Sequence, residues 1–290
     1  MNPAISVIVP HYHDLDRLDR CLASLERQSQ QRASFEIVVA DNMSPEGEAA
    51  VAARIGGRAR LVIASEKGAG PARNTAVAAS SGKILAFIDA DCIAAPDWLE
   101  RGVAALAQAD MIGGRVIVLI EGEGRKSGAE AFEAVFAFDN RSYVEKKQFS
   151  VTANLFCTRA VFDATGPFRT GMSEDADWCL RARDAGYRIA YVDDAVVSHP
   201  ARPDWRELKK KWVRINAELH QLEMLRPGGW VRWARHTALL PLSIVAHAPR
   251  VWRSPALNGG QERLAALATL ARLRLWRFGD SVLRLTGARS

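Results

Sequence analysis

Four short apolar runs, each closed by polar residues, constrain this chain more than anything else in it. They are Ile5–Pro10 (ISVIVP), Glu36–Ala40 (EIVVA), Arg60–Ala64 (RLVIA) and Ile84–Ile88 (ILAFI). Continuous apolar runs of this length suit strands buried on both faces of a parallel sheet. Between them, Leu15, Leu18, Cys21, Leu22 and Leu25 recur at helical spacing, and Glu48–Arg54 and Pro71–Ala79 also read as helices. Strands alternating with helices at this pace predict βαβ units. In such sheets ligands collect beyond the carboxyl ends of the strands. Pro10-His11-Tyr12, Asp41-Asn42 and Asp89-Ala90-Asp91 all stand at such ends, so three polar clusters converge on one edge.

Further along, helices are expected over Pro96–Ala107, Ala129–Phe138, Arg159–Thr165 and Asp175–Ala185. Strands are expected over Ile112–Ile120, Thr152–Thr158 and Arg188–Val192, with Val196–Val197 closing the series. Two carboxylate groups stand out. Asp89-Ala90-Asp91 is a D-x-D turn, which serves either as a solvated acidic turn or as a seat for Mg²⁺ or Mn²⁺, ions that prefer oxygen ligands. Glu174-Asp175 opens a helix, where acids complement the macrodipole, and where one carboxylate could also act as a general base.

These segments together resemble family 2 glycosyltransferases, inverting enzymes of the GT-A fold. The resemblance runs from Ile5 to about Pro200. It rests on ISVIVPHYHDLDRLDRCLASLERQS, EIVVADNMSPEG, EKGAGPARNTAVAASSGKILAFIDADC and SEDADWCLRARDAGYRIAYVDDAVVSH, in that order. It implies a Rossmann-like, mostly parallel sheet flanked by helices. Asp41 would bind the nucleobase of a nucleotide-diphospho-sugar donor, with Pro10 and Tyr12 lining the pocket and Lys67 and Arg73 near the nucleotide. Asp89 would reach the ribose or donor sugar and share a Mn²⁺ or Mg²⁺ with Asp91. His199 stands either as a third ligand or as a structural histidine. Asp175 would be the catalytic base, with Glu174 beside it in an acceptor or orienting role, and Asn154 would lie near the donor sugar. Trp178 could stack on an acceptor sugar or pack in the core, and Arg181 reads as a partner of Asp177. The chain departs from the family pattern at Gly166-Pro167-Phe168-Arg169-Thr170, where Gly-Gly-Phe-Asp-Glu is usual, and at Met43. A nucleotidyltransferase with a similar sheet would normally carry a Gly-rich loop after the first strand, which PHYHDLD lacks. A non-catalytic scaffold is the other alternative, and the joint presence of Asp89, Asp91 and Asp175 speaks against it.

Charge divides the chain in two. The whole carries +6, yet residues up to His199 hold 22 basic and 27 acidic side chains, and those from Pro200 hold 17 basic and 6 acidic. Six of the eight tryptophans also lie in the second part. The expected division is therefore a catalytic domain over 1–200 and a basic, Trp-rich helical extension over 201–290. Trp205–Leu225 reads as one helix, Ser254–Gly260 as a linker, and a further helix begins at Leu264. On that last helix Leu267, Ala268, Ala271, Leu275, Phe278, Val282 and Leu285 share an apolar face flanked by Arg263, Arg272 and Arg274, and Gly279 is a candidate break. An apolar stripe bordered by arginine suits an anionic membrane surface, and with it a glycan or glycolipid acceptor; docking on the catalytic domain or on a second subunit is the alternative. Nucleic acid is not expected as a partner. The N-terminus has no signal-peptide pattern, and no window reaches the ~18 apolar residues of a membrane span. Four scattered cysteines without CxxC spacing read as reduced thiols. The expected location is cytoplasmic, peripheral on the inner face of the cell membrane.

Overall fold

The computed structural model describes residues 3–170 and 173–288. Among these, the expected strands form as β1 (Ile5–His11), β2 (Phe35–Asp41), β3 (Arg60–Ile63) and β4 (Ile84–Phe87). They alternate with α1 (Leu15–Glu26), α2 (Glu48–Ile55) and α3 (Ala69–Ala79). Asp14 caps α1 by accepting the Arg17 N–H, which fixes where the chain turns from strand to helix. β1 pairs in parallel with both β2 and β4, and β2 with β3. Val7, Val9, Ile37 and Val39 pack with Leu18, Leu22 and Leu25 on one face. Ile8, Val38 and Phe87 pack with Ala72, Ala76 and Trp178 on the other. Burial on both faces is why these strands read as unbroken apolar runs.

The sheet then changes character. β5 (Ile93–Ala94), α4 (Trp98–Ala105), β6 (Met111–Leu119), α5 (Gly128–Phe136), α6 (Asn140–Lys147), β7 (Leu155–Thr158), α7 (Arg159–Thr165), α8 (Glu174–Asp184) and β8 (Ile189–Pro200) follow in order. The full strand order is β3-β2-β1-β4-β7-β6-β8-β5. β7 runs antiparallel to both β4 and β6, and β5 antiparallel to β8. The parallel arrangement thus belongs to β1–β4, and the sheet as a whole is mixed. The two pieces expected over 188–192 and 196–197 lie on one strand that begins at Ile189; the exposed Asp193 between them, paired with Arg115 and Arg141, interrupts the apolar pattern but not the strand.

The chain divides into two compact units. The first holds the residues through Ile117, then Phe138–Thr170 and Glu174–His199. The second begins again at Pro200 and also takes in Val118–Ala137, a stretch the sequence placed with the catalytic body. It contains α9 (Trp205–Met224), α10 (Gly229–Trp252), α11 (Gly259–Leu285) and α5. A capping box of Ser127 and Glu130 starts α5, and Phe132 on it packs with Leu208, Val251, Leu270 and Leu273. Lys211 is ion-paired to the buried Glu133 carboxylate at 2.5 Å. Pro241 and Pro249 lie inside α10 without ending it, and Gly279 does not break α11. All four cysteines are free and buried.

Candidate active site

The centre of the first unit is Arg73. Its position on α3 places the guanidinium beneath the ends of β4 and α8, almost entirely out of solvent. Nη2 donates to Asp89 Oδ1 at 2.6 Å and Nη1 to Glu174 Oε1 at 2.7 Å. Burial alone would lower its pKa, but Asp89, Glu174 and Asp175 around it more than reverse this and hold it raised. One cation thus joins the D-x-D turn to the first turn of α8. Nε of the same side chain is buried without a hydrogen-bond partner.

Asp175 sits beside that bridge. Thr152 holds it from the other side: the Thr152 N–H donates to Oδ2 at 3.3 Å and the hydroxyl to Oδ1 at 3.2 Å. Burial pushes the Asp175 carboxyl up to about 6, with Glu174 and Asp89 adding to the rise and Arg73 opposing it. A carboxylate poised near neutral pH is suited to accept and release a proton.

Asp91 and His199 lie on the far side of the D-x-D turn. His199 Nε2 is 3.7 Å from Asp91 Oδ1, too long for a direct hydrogen bond and short enough for two ligands of one ion. Ligand atoms of Asp89, Asp91, Cys92 and His199 all fall within 4.8 Å of one another. Two carboxylates and an imidazole are a donor set that fits a divalent cation such as Mn²⁺. The Phe138 ring stands 4.4 Å from the His199 ring and covers it. Cys92 was not singled out in the sequence; it follows Asp91 directly, and that adjacency is the only signal it offers.

At the ends of β1 and β2, His11 and Asp41 are direct register partners. His11 Nδ1 donates to Asp41 Oδ1 at 2.9 Å, and Ser44 closes on the same carboxylate through its hydroxyl and, at 3.0 Å, its N–H. The sequence places His11 at this edge without giving it a role, and Ser44 was not anticipated; counting along the two strands from Ile5 and Phe35 would have paired His11 with Asp41. Asn42 donates to the Ala64 and Glu66 carbonyls and accepts the Gly68 N–H, which folds the Lys67 loop against the sheet edge. Gly68 has φ +131, a conformation that favours glycine. Lys67 and Tyr12 are exposed and Pro10 half-buried at the same edge.

Three residues take other places than a sugar or phosphate subsite. Asn154 is wholly buried: Oδ1 accepts the Trp98 indole N–H at 2.9 Å, and Nδ2 donates to the Arg115 and Ala195 carbonyls. Its amide is used up in tying β6 to β8, and Gly114 leaves the space it fills, since a Cβ there would come within 2.4 Å of it. The expectation that Asn154 meets the donor sugar is corrected accordingly. Trp178 lies in the core with Phe162 and Phe168. Arg181 pairs with Asp177 and donates to the Thr165 and Pro167 carbonyls, holding the Gly166-Pro167-Phe168 loop.

Residues 6–176, more than half of the chain, match glycosyl transferase family 2. The chain belongs to that family. As a family 2 glycosyltransferase it is 33% identical to glycosyltransferase AglE of Haloferax volcanii over 231 residues, 77% of this chain and 75% of that one. It is 27% identical to the pre-mycofactocin glycosyltransferase of Mycobacterium tuberculosis over 209 residues, 69% of this chain and 43% of that one. Its fold is similar to that of the mannosyltransferase PcManGT from Pyrobaculum calidifontis, solved with GDP-Man and Mn²⁺. The TM-score is 0.58 at 19% identity, over all of this chain and 77% of the other. TarS 1-349 of S. aureus, solved with UDP-GlcNAc, gives a TM-score of 0.54 at 17% identity, over 96% and 92%. This chain therefore has a GT-A fold with C-terminal helices.

Proposed function

We propose that this family 2 enzyme transfers a sugar, with inversion, from a nucleotide-diphospho-sugar to a hydroxyl of a glycan or glycolipid. The observation that carries the reading is the Arg73 bridge, which brings Asp89, Glu174 and Asp175 together beside the Asp91–His199 pair. Similar folds solved with GDP-Man and Mn²⁺ and with UDP-GlcNAc support the donor class.

In this reading Asp41, steadied by His11 and Ser44, meets the nucleobase with Pro10, Tyr12 and Lys67 at the pocket edge. Asp91, Asp89 and His199 would hold Mn²⁺ or Mg²⁺. A divalent cation there supplies positive charge to the leaving diphosphate. Asp175 takes the proton from the acceptor hydroxyl as its oxygen bonds the anomeric carbon and the bond to the diphosphate breaks. One carboxylate is enough for that single displacement. Glu174 fixes Arg73, and through it the position of Asp89. The basic helical unit keeps the enzyme peripheral on the cytoplasmic face of a membrane, where a lipid-linked acceptor resides.

The test is a donor screen with Mn²⁺ or Mg²⁺, comparing the chain with Asp175→Asn. Transfer that collapses in the variant while donor binding by calorimetry persists supports the assignment. Full activity in the variant, or no nucleotide-sugar binding by the intact chain, refutes it.

A further inference from the structure

α11 is built inside out. The face it buries carries Arg277, Asp280, Ser281 and Arg284 beside Ala266, Leu270 and Leu273. At ~100° per residue the opposite face carries Leu264, Leu275, Phe278 and Val282, all exposed, Leu264 at 61% and Leu275 at 55%. The apolar stripe legible in the sequence is therefore not what docks the helix. α10 shows the same pattern. It buries Trp233, Thr237, Leu240 and Val251. Outward it presents Trp230, Val231, Leu242, Val245 and Trp252, with Val245 at 77% and Leu242 at 67%.

A polar network fixes these rotations. Asn216 of α9 donates to Asp280 Oδ2 at 2.7 Å and to Ser281 Oγ at 3.2 Å. Arg284 donates to Asp280 Oδ2 at 2.9 Å, and Arg277 to Asn216 Oδ1 at 3.3 Å with its guanidinium 4.4 Å from the Trp212 ring centroid. The Trp233 indole of α10 donates to the Ser281 carbonyl at 3.3 Å. Turning either apolar face inward would break these bonds and strand the charges. A helix that is apolar outward and charged inward suits surroundings less polar than water.

We propose that the outward faces of α10 and α11 form the surface by which this chain lies in the interface of an anionic lipid bilayer. Charge selects this occupant. Residues from Pro200 carry 17 basic against 6 acidic side chains, so a second copy on the same face would bring like charges together. Arg263 and Arg272 border the stripe of α11 and Arg235 and Arg250 that of α10, placing cations at the headgroup level beside the inserted side chains. An open groove at the end of α10 holds Arg250 and Arg253 beside Val135, Pro249 and Pro255. No helix among the described residues is long and apolar enough to cross a membrane, so the surface rests in one leaflet. The proposal shares its setting with the peripheral reading above and is independent of the chemistry.

The experiment is flotation of the full chain, without donor or metal, on vesicles of phosphatidylcholine alone or mixed with phosphatidylglycerol. The chain should float with the mixed vesicles, at least tenfold less with phosphatidylcholine alone, and less as salt rises. Leu242→Glu with Val245→Glu, two exposed positions, should reduce partition at least tenfold while the circular-dichroism melt stays unchanged. A chain that stays in solution with anionic vesicles, or a double variant that floats as well as the parent, overturns the proposal. A solution dimer that the double variant dissociates also overturns it, assigning the surface to a second copy. Because catalysis is not read, an inactive chain that floats separates this proposal from the glycosyl-transfer reading.

Discussion

Replacing Glu174 by Gln is the most informative single change at the site. Asp175 is lifted to about 6 by burial, with Glu174 and Asp89 contributing. If Asp175 must be ionised to act, about 90% of the enzyme is competent at pH 7 and about 10% at pH 5, a roughly tenfold fall in kcat/KM across the acid limb. Removing the Glu174 charge removes one source of the lift, so the limb moves to lower pH. For carboxylates roughly 6 Å apart, an effective dielectric between 20 and 80 gives about 0.7–2.8 kcal/mol, or roughly 0.5–2 pKa units. Arg73 keeps Asp89 as a partner in the variant, and its charge screens part of this effect, so the lower end is expected. The assay is initial-rate release of nucleoside diphosphate between pH 4.5 and about 8 at saturating metal, with Asp175→Asn as the reference. An acid limb that stays in place in Glu174→Gln, or one that persists in Asp175→Asn, would show that the titrating group is not Asp175.

Other outcomes follow from the same geometry. Arg73→Gln leaves Asp89, Glu174 and Asp175 without their shared cation; it should cost about 3–5 kcal/mol in urea unfolding and move the acid limb to higher pH. His11→Ala frees the Asp41 carboxylate from its buried partner and should weaken nucleotide binding by about tenfold in calorimetry, with little change in kcat at saturating donor. Asn154→Ala removes three buried hydrogen bonds and should lower stability by about 2–4 kcal/mol while leaving the donor KM of the folded fraction unchanged.

How far the sequence could be read depended on where each element is buried. β1, β2 and β4 were legible because two buried faces leave no polar alternation to confuse the pattern, while the edge strand β3, with Ile63 exposed, was legible from its run of Leu, Val and Ile alone. α6, NRSYVEKK, has almost no apolar period and went unseen; β5, two residues long, has none at all. Strand direction was not legible, since Leu155–Thr158 reads the same whether it runs with β4 or against it. Asn154 misled because a buried amide and a ligand-facing one look alike until Gly114 and Trp98 are placed around it. In α11 the stripe was plain in the sequence, but which face turns inward depends on Asn216, distant in sequence. The pairing of Arg73 with both Asp89 and Glu174 joins three segments far apart along the chain, which no local pattern announces.

That pairing restricts what substitution can explore. A guanidinium reaches two carboxylates at 2.6 and 2.7 Å from one planar fork, whereas a lysine ammonium presents a single point of charge. In a library randomised at residue 73 alone, arginine should therefore be the recovered solution. Other residues should survive there only in members that change Asp89 or Glu174 in the same step, so these three positions should vary as one unit in the descent of such chains.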